Sequence, residues 1–477
     1  MTIKAVFFDM GGTIETFEYT RELRVNATAV IQQRLMDAGI DLRLTTEELY
    51  QVISSGLSSY KQWSLQTMEE LSPQRVWSDY IFAGREMDRN TLADISENLM
   101  FLIETEFYVR AMRPEVPKVL QAIKEMGLKI GLISNVNSRG QAPVNLEKYG
   151  IIDYFHPIVL SSEYGYRKPD PAIFHHAARL ANVPASQCLY VGDRVARDID
   201  GARRAGFGRA VQIRHKFAHG ENDEGASPDA IIDNLTELLD ILKKETANSD
   251  QPDKRKIRAF IFDAGDILYY RPQRGRRFAA FLKEIGLEPN PNFSQQKKAI
   301  QFQAYRGQIS HEEYREAVVK LYGLTEPDLV ERGKQALIED DGNVAFFEGV
   351  AETLHLLKDQ GYLLGIVTDT ANSISAKLKW FERGGFGNVW DSIISSMDVG
   401  TRKPDPKIYE AVLQQLGLSS NQAIFVGHKA SELNGARAIG MQTVAFNYDQ
   451  DASADRFIEK FSDLLKITEI GLYEQPS

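Results

Sequence analysis

Hydrophobic residues change their spacing several times along this chain. Ala5 to Phe8 is a short unbroken apolar run that meets Asp9 and then Gly11-Gly12. Such a run, closed by a turn, predicts a strand buried on both faces. From about Tyr19 to Phe107 glycine and proline are scarce, and apolar residues recur at three- and four-residue steps, as in VNATAVIQQRLMDAG and TEELYQVISSGLSSYKQW. That spacing predicts helices. Thr45-Thr46-Glu47-Glu48 supplies one helix start, and Ser72-Pro73 another with proline at the first helical position. The insert of roughly ninety residues is long enough for a small bundle. Beyond it strand and helix alternate. The helix PEVPKVLQAIKEMG closes at Gly127, and the strand LKIGLISN ends at Ser134. HPIVLSS, DPAIFHHAARLANV, CLYVGD, DIDGARRAG and RAVQI follow, and PDAIIDNLTELLDILKK completes the unit. This alternation predicts a parallel, doubly wound sheet.

Lys244 to Lys256 has no apolar period and reads as a linker. The pattern then repeats. AFIFDAGDI, from Ala259 to Ile267, repeats the apolar strand, aspartate, small residue and glycine. GYLLGIVTDT matches LKIGLISNVN, TRKPDPKIYEAVLQQLG matches YRKPDPAIFHHAARLAN, and AIFVGHKASELNGARAIG matches CLYVGDRVARDIDGARRAG. Ser134 precedes Lys168 by 34 residues and Thr368 precedes Lys403 by 35; Lys168 to Asp193 and Lys403 to His428 are both 25. The period of this duplication is far beyond the roughly 20–50 residues of a solenoid repeat. The expected architecture is α/β: two doubly wound parallel-sheet core domains, each with a helical cap inserted after its first strand. The first spans 1–245 with its cap at about 17–115, the linker 246–256, and the second 257–468 with its cap at about 272–345.

Length and composition narrow the field. A chain of 477 residues suggests roughly two to four domains. Its apolar fraction of 43% and charged fraction of 26% are those of ordinary soluble proteins. A net charge of -10 argues against nucleic-acid binding, while leaving room for a local basic pocket. The single cysteine, Cys188, excludes an intrachain disulfide and a Cys-rich zinc site, and its apolar surroundings suggest a buried thiol. MTIKAVFF enters a strand without a signal-peptide pattern, and no run approaches the roughly 18 apolar residues of a membrane span. The expectation is a cytoplasmic protein whose partner is a small molecule, with neither membrane nor nucleic acid involved. The sequence leaves the oligomeric state open.

The polar residues that end the predicted strands carry the candidate chemistry. Asp9, Ser134, Lys168 and the pair Asp193/Asp198 fall at the carboxyl ends of consecutive elements, where open α/β folds keep their ligand crevice. Turn capping would account for Asp9 alone, but not for acids from two strands beside a lysine. Converging carboxylates favour a hard cation such as Mg²⁺. With Lys168 it would neutralise a phosphoryl group, which Asp9 could attack to form an aspartyl-phosphate. Ser134 is suited to hydrogen-bond a phosphoryl oxygen.

At these residues both halves resemble the haloacid dehalogenase (HAD) superfamily. DMGGT, Asp9 to Thr13, matches the family's first motif, Asp-X-Asp-X-Thr/Val, except at Gly11. GLISN matches the second motif, Lys168 in YRKPDP the third, and Gly192 to Asp198 matches GDxxxxD in full. The resemblance spans 1–245 and about 257–468. It implies a capped, doubly wound hydrolase with Asp9 as nucleophile. It also implies Mg²⁺ held by Asp9, Asp193 and the backbone carbonyl of Gly11, with Asp198 beside them.

The departures are as informative. The family's second aspartate is its general acid; Gly11 can offer a carbonyl but no proton. General acid-base groups contribute about 10²–10⁴-fold, so alkyl phosphates should turn over slowly. Dehalogenating and phosphonate-cleaving members also lack that aspartate, which keeps dehalogenase-like or phosphonatase-like C–X cleavage as an alternative. The intact GDRVARD favours metal-dependent phosphoryl chemistry. Phosphonoacetaldehyde cleavage would need a Schiff-base lysine in the cap, and Lys61, the sole lysine there, reads as a solvated helix residue.

In the second unit Gly265 replaces the acid, Ile267 the threonine and His428 the first metal aspartate, while Asp263, Thr368 and Lys403 persist. Glu432 stands in for the second aspartate if one residue was lost before Asn434-Gly435. His428 could ligate a softer metal, though simple hydrogen bonding is the plainer expectation. The expected function is a Mg-dependent phosphatase in the N-terminal unit, acting on a small phosphorylated metabolite, with an inactive C-terminal copy. A non-catalytic binding or scaffold protein is the alternative from a different class. Asp170 and Asp405 are expected as N-caps before Pro171 and Pro406, and His175-His176 as ordinary helix positions. Tyr60, Trp63 and Trp77 could line a pocket or fill the cap core.

Overall fold

A computed structural model describes residues 2–85, 87–215, 225–247 and 256–469, without the side chains of 246–247 and 468–469. The chain divides into two compact units, Met1–Gln251 and Pro252–Ser477. Of the expected linker, 246–256, residues 248–255 lie outside the described residues, while 246–247 belong to the end of helix Leu238–Ala247.

In the first unit the strands are β1 (Ala5–Phe8), β2 (Glu15–Glu18), β3 (Val109–Met112), β4 (Lys129–Ser134), β5 (Ile158–Leu160), β6 (Cys188–Gly192), β7 (Arg209–Ile213) and β8 (Ala230–Ile232). Six of them form a parallel sheet in the order β5-β4-β1-β6-β7-β8. Alternate residues of β1 serve opposite faces. Val6 and Phe8 join Val119, Leu132 and Leu189 on one side, where helices Val116–Glu125 and Leu238–Ala247 pack. Ala5 and Phe7 join Phe174 and Tyr190 on the other, under helix Pro171–Ala181. Each ring so buried contributes about 1.5–3 kcal/mol. Burial on both faces accounts for the unbroken apolar run.

The cap is a bundle of helices Arg21–Asp37, Thr46–Thr67 and Arg89–Glu106 with shorter turns between. Its own core includes Ile31, Ile53, Trp77, Leu92 and Leu99. Thr45 and Glu48 form a reciprocal capping box, and Ser72 caps the helix that Pro73 opens. The sequence pattern did not predict the antiparallel ribbon of β2 and β3 that carries the chain into and out of the cap. Strands of four residues are too short to impose a period beside long helices. Trp77 is cap core, and Trp63 stacks on Tyr60.

The second unit repeats this plan with β9 (Ala259–Phe262), β10 (Tyr269–Tyr270), β11 (Ala345–Phe346), β12 (Leu363–Thr368), β13 (Ser392–Ser395), β14 (Ala423–Gly427), β15 (Gln442–Phe446) and β16 (Arg456–Ile458). Its sheet order is β13-β12-β9-β14-β15-β16, and β10 pairs with β11 at the entrance to a cap of four helices between Arg276 and Gly342. Asp170 and Asp405 cap their helices as expected, accepting from Ala172 and Lys407 N–H. No helix among the described residues is long and apolar enough to cross a membrane.

Candidate active site

Asp9 follows β1 directly, and its N–H donates to Val191 O at 2.9 Å, which ties it to the end of β6. Lys168 Nζ reaches across from the loop before helix Pro171–Ala181, lying 2.8 Å from Asp9 Oδ1 and 2.7 Å from Asp198 Oδ1. The ammonium also donates to Tyr190 Oη at 2.6 Å. Its backbone is clamped by Asn135, whose amide nitrogen donates to Lys168 O and whose oxygen accepts from Lys168 N–H. Asp193 follows β6, and Gly12 lets the two loops meet. It has φ +89°, and a Cβ there would lie 2.5 Å from Asp193 Oδ2. Asp198 sits one π-helical turn further, in Val195–Ile199.

Carboxylate oxygens of Asp9, Asp193 and Asp198 lie within 4.8 Å of one another, all buried. Three such charges demand a cation, and Arg197 supplies one. Its Nη2 is 2.5 Å from Asp9 Oδ2, 2.9 Å from Asp193 Oδ1 and 3.0 Å from Asp198 Oδ2. Burial pushes the Asp193 carboxyl up to about 7 despite the pull of Arg197. Burial acts on Asp198 too, but Arg197 and Lys168 hold it well below the usual carboxylate range. An all-oxygen, convergent donor set of this kind fits a hard divalent cation, which would compete with Arg197 for the same oxygens.

The cap completes a cavity of about 400 Å³ that Asp9, Gly11, Ser134, Asp193 and Arg197 share with Phe17, Tyr60, Met100, Tyr108 and Arg110. Of the three cap aromatics singled out by sequence, only Tyr60 lines it. Lys61 stands exposed at the rim, without the desolvation that activates a Schiff-base lysine. Acids from the cap hold the loop after β4. Glu104 accepts the N–H groups of Asn137 and Ser138 at 2.7 and 2.9 Å, and Glu97 accepts that of Arg139. Glu70 binds Asn137 Nδ2, Ser161 Oγ and Arg167. Beneath Gly11, buried Glu15 pairs with Arg110 and accepts from Asn145 and Tyr149. Sequence reading missed Arg197, Tyr190 and Asn135. The first lies inside GDRVARD, and the last follows Ser134 directly.

The second unit keeps half of this. Lys403 Nζ is 2.5 Å from Asp263 Oδ1 and 2.9 Å from Glu432 Oε2, so Glu432 takes the place of Asp198. Four residues separate His428 from Glu432, against five from Asp193 to Asp198. A regular helix, Ala430–Ala438, replaces the π turn, and the longer side chain covers the lost residue. Burial opposes ionisation of Glu432, but Lys403 and Lys429 bring it down to about 2. His428 Nε2 is 3.8 Å from Asp263 Oδ2, and its Nδ1 is 3.4 Å from Asp449 Oδ1. Among the described residues no second trio of candidate metal ligands forms. Gly265 and Thr368 line a cavity here of about 710 Å³.

A doubly wound core, a helical cap inserted after the first strand and an aspartate ringed by a lysine and two more acids define a capped α/β hydrolase. The haloacid dehalogenase-like hydrolase family matches residues 3–206 and again 282–446. A glyceraldehyde 3-phosphate phosphatase of Methanopyrus kandleri is 32% identical over 248 residues, 51% of this chain and 98% of that protein. A phosphoglycolate phosphatase of Nitrosococcus oceani is 30% identical over 131 residues, 28% of this chain and 57% of its own length. A solved HAD phosphatase of Thermococcus onnurineus, 21% identical, matches 50% of this chain and 98% of its own at a TM-score of 0.35. The chain belongs to the haloacid dehalogenase-like hydrolases and carries two such domains in tandem.

Proposed function

We propose that the N-terminal unit is a phosphatase for a small phosphorylated metabolite, and that the C-terminal copy does not turn over substrate. The observation that carries the reading is the convergence of Asp9, Lys168, Asp193 and Asp198 at one end of a cavity of about 400 Å³. Relatives named for glyceraldehyde 3-phosphate and phosphoglycolate suggest a substrate of two or three carbons.

Asp9, Asp193, Asp198 and the carbonyl of Gly11 would hold Mg²⁺, which when bound neutralises phosphoryl charge. Lys168 fixes Asp9 Oδ1, and Oδ2, 2.5 Å from Arg197 Nη2, is the attacking oxygen once that guanidinium swings away. The Asp9 carboxylate attacks phosphorus, the P–O ester bond breaks, and its electron pair leaves with the alcohol oxygen. Ser134 donates to a phosphoryl oxygen. With glycine at 11, the leaving oxygen takes its proton from water. A second water then attacks phosphorus, releasing inorganic phosphate and restoring Asp9. Good leaving groups are therefore favoured. In the second unit His428 replaces a charged oxygen donor by a neutral nitrogen, which Mg²⁺ disfavours.

The test is phosphate release by the full-length chain from an aryl phosphate, glyceraldehyde 3-phosphate and phosphoglycolate, with Mg²⁺ or with EDTA. The reading expects turnover only with Mg²⁺. Turnover of halogenated acids instead, unaffected by EDTA, would favour C–X cleavage.

A further inference from the structure

The walls of the C-terminal cavity differ from those of the N-terminal one: among the described residues, two of their cations stand without an ion-pair partner. In the first unit Glu15, six residues after Asp9, bridges back to Gly11 and pairs with Arg110. In the second unit Tyr269, six residues after Asp263, bridges to Gly265 in the same way. No arginine faces it from β11; instead Lys377, from helix Ile374–Arg383, donates its Nζ to Tyr269 Oη at 2.9 Å. In the first unit Arg167, just before the motif lysine, lies 3.6 Å from Glu70. Its counterpart Arg402 lies 4.2 Å over the ring of Phe302, where Lys298 also points.

Among the described residues neither Lys377 nor Arg402 forms an ion pair, and Lys377 Nζ lies over the rings of Tyr269 and Trp380 at 5.3 and 5.7 Å. Lys377 is only 3% exposed, and a buried ammonium without an acid is costly to the fold. Asp369 is, among the described residues, the one wall acid left to oppose them: it accepts the N–H of Lys403 at 3.1 Å and is attracted by both Lys403 and Arg402. Of the other cations in the lining, Arg274 pairs with Asp266, Arg271 with Asp341 and Lys429 with Glu432, whereas Lys298 lies over the Phe302 ring and adds to the positive charge. The floor is a separate matter. There Lys403 is shared by Asp263 and Glu432, so the excess positive charge of the lining comes from Lys298, Lys377 and Arg402 against Asp369 alone.

We propose that this cavity of about 710 Å³ binds a phosphate group, free or on a small metabolite, through its lining cations Lys377 and Arg402 and does not cleave it. A doubly charged phosphate supplies the missing negative charge, and a guanidinium fork matches its oxygens. The inference rests on the reading that the C-terminal unit is catalytically silent. It adds that this unit was kept for ligand binding.

The test uses the full-length chain carrying Asp9→Asn, in EDTA, titrated by calorimetry with inorganic phosphate, pyrophosphate and glycerol 3-phosphate. Adding Lys377→Met or Arg402→Gln should each weaken binding about tenfold or more, the size expected for one charged hydrogen bond. Without ligand, Lys377→Met should melt no lower than its parent, since it removes a buried charge that has no acid. Equal affinity for phosphate and glycerol 3-phosphate identifies free phosphate as the ligand; tighter binding of the ester identifies a phosphorylated metabolite. Unchanged affinity in both variants, or no binding of any probe, overturns the proposal. Hydrolysis of glycerol 3-phosphate in the Asp9→Asn chain, with Mg²⁺ restored, that stops on Asp263→Asn would refute the silent-copy reading and the statement that bound phosphate is not cleaved, while the effects of Lys377→Met and Arg402→Gln would still decide whether those cations bind it.

Discussion

Gly11 stands beside the proposed nucleophile with room for a side chain. A Cβ there would meet Phe17 at 3.7 Å and Arg110 Nη1 at 3.9 Å, and its φ is not among the positive ones. Gly11→Asp should therefore fold, and it should raise kcat for an alkyl phosphate about 10²-fold while changing an aryl phosphate far less; equal gains on both would argue against a proton-donor role at this position. Arg197 leads to a second expectation. Because its guanidinium bonds all three carboxylates, Arg197→Ser should tighten Mg²⁺ binding in calorimetry, whereas weaker binding would mean that Arg197 organises the donors and does not compete for them. His175 is buried with neither ring nitrogen hydrogen-bonded, and burial lowers it from 6.5 to about 4. A base depressed on folding contributes stability that is full above pH 6.5 and lost as pH falls toward 4, because the unfolded chain binds the proton first. His175→Leu should flatten that acid limb, worth about 3 kcal/mol, in urea melts taken between pH 6.5 and 4.

Short elements separate the two sites more than their residues do. The π turn at Val195–Ile199 places Asp198 against Lys168, whereas the regular helix of the second unit needs the longer Glu432 to reach Lys403. Glu432→Asp should therefore withdraw the carboxylate and lower stability by about 1–3 kcal/mol in urea melts; an unchanged midpoint would mean that the helix adjusts freely. The same scale explains what could be read in the sequence. The central strands were legible because Ala5–Phe8 and Ala259–Phe262 are buried on both faces and each precedes a helical insert. The ribbons β2–β3 and β10–β11, of four and two residues per strand, left no period to detect. The motif residues were legible through their spacing, which fixes the backbone position of Asp9 or Lys168. Arg197 was not, because nothing in its spacing says whether the guanidinium points to solvent or to an aspartate 188 positions earlier. Tyr190 and Asn135 were hidden for the same reason: each acts through a contact with Lys168 that only the folded sheet creates.

The whole molecule pairs two copies of one hydrolase fold that have diverged in opposite directions. The N-terminal unit keeps three acids around one point and ties its cap to the β4 loop through Glu70, Glu97 and Glu104. The C-terminal unit has lost an acid at the floor and has Tyr269 in place of Glu15 on its wall, with Asp369 gained where the first unit has Asn135, while its cavity is the larger. This asymmetry, catalysis in one copy and binding in the other, is the central claim. Its most direct measurement is Mg²⁺-dependent phosphate release from an aryl phosphate by the full-length chain carrying either Asp9→Asn or Asp263→Asn, each verified as folded. The account predicts that Asp9→Asn abolishes release and Asp263→Asn leaves it intact. Activity that survives Asp9→Asn, or disappears with Asp263→Asn, would contradict it.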